Sequence, residues 1–235
     1  MIIVVGGIKG GSGKSTVATN LAVIRAAEGY EVVLVDADDQ ETSYDFTQLR
    51  ADRMNGNPGY LCTKQSGMGV RTSALQFSDK YDTVIIDTGG RDTTSQRAAL
   101  SVANLLIVPF VPRSFDVWTV ERVMHLISEI RPINPSLQAG AFLNRSDSRG
   151  RFPALSTDAL KEAGPELLAF SELTIGNRVA FGVAAAEGRA VTELAPSDSK
   201  AAVETLALYR YVFGSKIIAE PSLFDMAKEE TFDAR

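Results

Sequence analysis

The chain has 235 residues, 45% of them hydrophobic and 23% charged, with a net charge of -5 and an isoelectric point near 5.1. That length suffices for one large α/β domain with a buried core, and the acidic balance excludes a protein coated in basic residues while leaving a local basic patch open. The single cysteine, Cys62, excludes an intrachain disulfide or a multi-cysteine metal or iron-sulfur site supplied by one chain, and no apolar run approaches the roughly 20 residues that span a bilayer.

Short apolar runs alternate with helical patterns almost to the end, which predicts an α/β fold with a mainly parallel, twisted sheet flanked by helices on both faces. Ile2 to Val5 reads as a buried first strand of a cytoplasmic protein, since no basic leader or cleavage site accompanies it. Lys14 to Glu28 follows as a helix, with apolar residues at Val17, Leu21 and Ile24 and a stop at Gly29. Further strands are expected at Glu31 to Val35, Thr83 to Ile86, Leu105 to Pro109, Ala139 to Leu143 and Phe170 to Ile175. Residues 50–69, rich in Gly, Asn, Ser and Thr, offer only a short strand at Tyr60 to Thr63.

Helices are expected from Phe115 to Ile130, ended by Pro132, and from Ser199 to Phe213, ended by Gly214. His125 falls on one helical face with Trp118 and Arg122 and has no second His or Cys near it, so it reads as a surface or partner-facing residue. Residues 1–214 then form one domain, and 215–235 a solvated tail of mixed charge.

The chemistry concentrates in "VVGGIKGGSGKST", Val4 to Thr16. A strand, a glycine-rich loop, Lys-Ser-Thr and a helix start bring backbone amides and a helix N-terminus onto an anion, to which a lysine adds a point charge. Lys14 is placed on the β- and γ-phosphates and Ser15 on Mg²⁺, while Gly10, Gly11, Ser12, Gly13 and Thr16 complete the cradle. The usual first glycine is replaced by Ile8, and a second lysine, Lys9, stands in the loop. Two more strands, "EVVLVDADDQ" and "DTVIIDTGG", end in Asp36 and Asp38 and in Asp87, at the carboxyl edge where open α/β sheets bind ligands. Asp87 reads as the acid that holds Mg²⁺ through water, and Gly89-Gly90 as flexible backbone beside the γ-phosphate.

These motifs resemble the ParA/MinD group of deviant-Walker ATPases: "KGGSGKST" as Walker A, "VLVDADDQ" as Walker A′, "VIIDTGG" as Walker B, and "VPFVPRSFDVWTV" after the fourth clear strand. The resemblance implies that Lys9 reaches across a nucleotide-sandwich homodimer to the phosphates held by the other subunit. Two polyanionic nucleotides face to face repel unless cations of both chains meet them, so dimerisation becomes conditional on ATP. It implies also that Asp38 positions or activates the attacking water, that Asp36 supports the Mg²⁺ shell, and that Asn144 contacts adenine. Asp39 departs from the pattern, standing where the family has proline.

Within the group the match is to small partition proteins of the ParA type. The tail lacks the basic amphipathic character of a membrane-binding helix, paired cysteines are missing, and with the P-loop strand starting at Ile2 no N-terminal helix-turn-helix domain is expected. The implied activity is a slow ATP hydrolysis stimulated by a ParB-like centromere-binding or cargo-adaptor protein. The ATP dimer would bind DNA without sequence preference, and so associate with the nucleoid, through Arg178, Lys200, Arg210 and Lys216. Alternatives are a small-molecule P-loop enzyme of the dethiobiotin-synthetase type and, more remotely, a MinD-like membrane ATPase.

Overall fold

The computed structural model describes residues 1–112, 117–147, 157, 158, 160–162, 166–194 and 199–214. Four consecutive aliphatic residues form β1 (Ile2–Val5), all buried, because a strand covered on both faces needs no polar alternation. The chain continues through α1 (Lys14–Ala27), β2 (Val32–Ala37), α2 (Thr42–Arg53), β3 (Leu61–Lys64), α3 (Gly69–Ser78), β4 (Thr83–Thr88), α4 (Thr94–Leu100) and β5 (Leu105–Phe110). It ends with α5 (Val117–Ile130), β6 (Gln138–Ser146), β7 (Ala169–Gly176), α6 (Val179–Ala186) and α7 (Ser199–Phe213). The expected start of α5 at Phe115 and the tail from 215 lie outside the described residues.

All seven strands run parallel in the order β3-β2-β4-β1-β5-β6-β7. Successive residues of each strand enter opposite cores. Val33, Val35, Val84 and Ile86 pack with α3, α4 and α5, whereas Ile3, Val5, Leu34 and Ile85 pack with α1, Phe46 of α2 and α7. The same parity sends Asp36 and Asp87, each next after a residue of the first core, toward the α1 and α2 side. The register pairs Asp36 with Asp87 and Val5 with Asp87, so the P-loop and both acids leave the sheet at one level.

Helices α2, α3 and α4 were not expected from the sequence, nor was α6, which follows the edge strand β7. A half-buried ion pair fixes α2 to the turn before α7: Arg50 donates to both Glu193 carboxylate oxygens at 2.7 and 2.8 Å and to the carbonyls of Pro58 and Gly188.

Candidate active site

Behind β1, residues 6–13 wrap the start of α1. Gly13 takes the N-cap position at φ 86°, with no side-chain cap, so the first amides of α1 remain available to an anion. A Cβ at Gly13 would lie 2.5 Å from Asn144 Nδ2, which explains the glycine twice over. Asn144, 4% exposed, donates to the Ser12 carbonyl at 2.7 Å, and its neighbour Arg145 donates to Gly11 O at 2.9 Å. Strand β6 thus holds the loop from outside. Arg145 adopts φ 52° and Glu41, before α2, also φ 52°; two non-glycine residues in the left-handed region flank the site, where backbone strain commonly collects.

Lys14 is buried and its Nζ donates to Lys9 O at 3.0 Å. Burial lowers its pKa, against the pull of the Asp87 and Asp38 carboxylates, so an anion entering here restores stabilisation that burial removes. Asp87 is fully buried and accepts from Ser43 Oγ at 2.6 Å. Burial pushes its carboxyl up to about 7 although the Ser43 and Ser15 hydroxyls favour the charged form. Among the described residues its Oδ1 has no hydrogen-bond partner. Buried polar atoms are seldom left so, and an acceptor open beside Ser15 fits Mg²⁺. The described residues contain no cluster of three acidic, His or Cys ligands.

Asp36 is held differently. Its Oδ1 accepts from Asp38 N at 3.1 Å and its Oδ2 from Tyr44 N at 2.8 Å; burial raises its pKa, while these two amides oppose the rise. Its visible work is to shape the turn that presents Asp38 and starts α2. Asp38 accepts from Gln40 N at 3.2 Å and lies against Gly89, where a Cβ would stand 3.2 Å from Oδ1.

These groups surround one cavity of about 690 Å³, lined by Gly10, Lys14, Ser15, Asp38, Gly90 and Arg91 among others. A second cavity of about 450 Å³ adjoins it through Gly13, Thr16 and Arg145 and has a more apolar wall, with Leu21, Ile175 and Phe181 beside Asn144 and Asn177. Lys9 borders neither. It borders a narrow cleft with Phe110, Val111 and Thr119. The two lysines of the motif therefore face different surroundings.

The expected DNA contacts are not equivalent. Lys200 and Arg210, near opposite ends of α7, are exposed, whereas Arg178 is held by Glu204, with Nε at 2.9 Å from Oε2. Lys216 lies outside the described residues. His125 is 72% exposed at its side chain, 3.5 Å from Glu129.

Sequence reasoning passed over Ser43, Arg145 and Gln96. Ser43 sits two residues beyond Glu41, in a polar stretch with no helical signal. Gln96 is buried and accepts from Thr88 Oγ1 at 3.1 Å, tying α4 to the residue after Asp87; nothing local marks it.

Comparison with known proteins agrees with this geometry. A Halothiobacillus neapolitanus protein, maintenance of carboxysome distribution protein A, is 24% identical over 203 residues, 86% of this chain and 91% of that one. Protein IncC of Escherichia coli is 24% identical over 247 residues, 90% of this chain and 68% of that one. The structure of a Cyanothece McdA variant in complex with ATP superimposes with a TM-score of 0.71 at 18% identity, covering 91% of this chain and 96% of that one. The CbiA family model, the CobQ/CobB/MinD/ParA nucleotide binding domain, matches residues 3–191. With most of the chain matched, and the phosphate loop and Asp38 gathered on one cavity, the protein belongs to the CobQ/CobB/MinD/ParA nucleotide-binding family.

Proposed function

We propose that the protein is a positioning or partition ATPase of the ParA type, which binds Mg·ATP, pairs into a sandwich homodimer, associates with DNA of any sequence, and leaves it on hydrolysis. The observation that carries this reading is the division of the loop's two lysines: Lys14 belongs to the chain's own cavity, and Lys9 turns its surroundings elsewhere. A lysine that served its own nucleotide would be expected to line the same cavity. Protein relatives whose names refer to carboxysome distribution support the positioning role.

In this reading the triphosphate occupies the larger cavity, against the amides of residues 10–16 and Lys14, and the base enters the more apolar one beside Asn144. Ser15 and the free oxygen of Asp87 hold Mg²⁺, Asp87 through water, and the ion neutralises charge on the β- and γ-phosphates. Asp38, set by Asp36 and facing Gly89, orients water for attack on the terminal phosphate. Lys9 meets the phosphates of the partner subunit's nucleotide and makes pairing depend on ATP. Exposed Lys200 and Arg210, with Lys216, supply DNA phosphate contacts, and Arg178 joins them only by releasing Glu204. Hydrolysis is slow alone and is stimulated by a ParB-like or cargo-adaptor partner in the cytoplasm.

Retention on DNA of arbitrary sequence, measured with ADP, ATP and a slowly hydrolysed analogue at low and moderate salt, tests the reading. ATP-dependent retention that falls steeply with salt is expected. Absence of DNA association in every nucleotide state would overturn it and favour a small-molecule enzyme on the same fold.

A further inference from the structure

We infer that Arg91 is an additional basic contact for the terminal phosphate of the nucleotide held by the same chain. This rests on the reading of the larger cavity as a triphosphate site. After β4, Gly89 and Gly90 return the chain onto the phosphate loop so closely that a Cβ at Gly90 would lie 2.6 Å from Gly10 N, 2.7 Å from Gly10 Cα and 2.9 Å from Lys9 C. Residue 91 therefore leaves from the end of the loop formed by residues 9 and 10. The Lys14 ammonium is anchored at that same end, on Lys9 O, and in a P-loop this lysine marks the β- and γ-phosphates.

Arg91 is exposed and lines the cavity with Lys14, Ser15 and Asp38. It also borders an adjoining cleft of about 310 Å³ with Arg122 and His125, so its side chain has room to turn toward a ligand. The neighbouring acid is not available to it, because Asp92 is taken by Arg97 at 2.7 and 2.6 Å, and Arg97 also takes Glu129. Among the described residues Arg91 itself makes no ion pair. An arginine that makes no ion pair among the described residues, on the wall of this cavity, is suited to an incoming phosphate, which its planar fork grips with two parallel hydrogen bonds.

Equilibrium titrations of Mg·ADP and of a slowly hydrolysed Mg·ATP analogue into dilute wild-type protein, Arg91→Ala and Arg91→Lys test the assignment. Arg91→Ala is expected to weaken analogue binding by about tenfold to a hundredfold, the range of a charge-assisted hydrogen bond, with ADP affinity changed less than about twofold. Arg91→Lys should restore part of the loss. An unchanged ratio of analogue to ADP affinity in Arg91→Ala, or an equal loss of both, would overturn the inference. Failure of the wild-type protein to bind either nucleotide would overturn the triphosphate reading and the inference with it, and is distinguished by not involving a variant.

Discussion

Gly13→Ala perturbs the point where backbone conformation, loop packing and helix start meet. At φ 86° any residue with a Cβ is strained, by roughly 1–2 kcal/mol. The added Cβ would also lie 2.5 Å from Asn144 Nδ2, so the amide must move and lose its buried bond to Ser12 O. That loss costs a further 1–2 kcal/mol or so, for a total of about 2–4 kcal/mol. Two neighbours separate the contributions. Gly11 has φ 73° with nothing within 4 Å of a Cβ, and Gly10 has neither a positive φ nor a neighbour. Urea unfolding without nucleotide should rank the variants Gly10→Ala, Gly11→Ala, Gly13→Ala in order of increasing loss, the last displaced by about 1 M. Equal midpoints for Gly11→Ala and Gly13→Ala would refute the claim that Asn144 clamps the loop.

Other consequences are independent of that clamp. Burial pushes the Asp87 carboxyl up to about 7 in the folded chain from its ordinary value of 3.8. Between those values the folded state keeps a proton that the unfolded state has released, so metal-free protein should lose stability as pH rises from 3.8 toward about 7. Asp87→Asn should flatten that slope in urea unfolding with a chelator present, and a slope that persists would place its origin elsewhere. Arg50→Met strands Glu193 and two carbonyls; with Glu193 33% exposed, about 2–4 kcal/mol is expected rather than the upper range for buried pairs. Adding Glu193→Gln should recover part of it, and a loss below about 0.5 kcal/mol, the level of an ordinary surface change, would show that the pair contributes nothing. Asp38→Ala should still bind Mg·ATP and accumulate the ATP-bound dimer with hydrolysis reduced by at least about a hundredfold, as for loss of general-base function; unchanged turnover would move that role to another residue.

The legibility of this molecule in its sequence followed burial. Strands β1, β2, β4 and β5 are covered on both faces and appear as unbroken aliphatic runs, and the acids that end β2 and β4 are conspicuous against them. Helix α2 was hidden because its buried face consists of Ser43, Phe46, Thr47 and Arg50, three of them polar, with partners that include Asp87 for Ser43, Tyr60 for Thr47 and Glu193 for Arg50. Helix α6, "VAFGVAAA", is apolar all round and so has no period to read. The Arg178–Glu204 and Arg97–Glu129 pairs likewise depend on chain segments brought together by folding. For the same reason a basic residue in the sequence was no guide to whether it stands exposed, as Lys200 does, or paired, as Arg178 is.

In the proposed cycle Lys14 binds the nucleotide and Lys9 makes dimerisation depend on it. Sedimentation velocity of wild-type protein and Lys9→Ala, each with Mg·ADP and with a slowly hydrolysed Mg·ATP analogue, tests it most directly. The wild-type protein should dimerise with the analogue alone, and Lys9→Ala should bind the analogue yet sediment as a monomer. A Lys9→Ala dimer formed with wild-type affinity would contradict that role for Lys9.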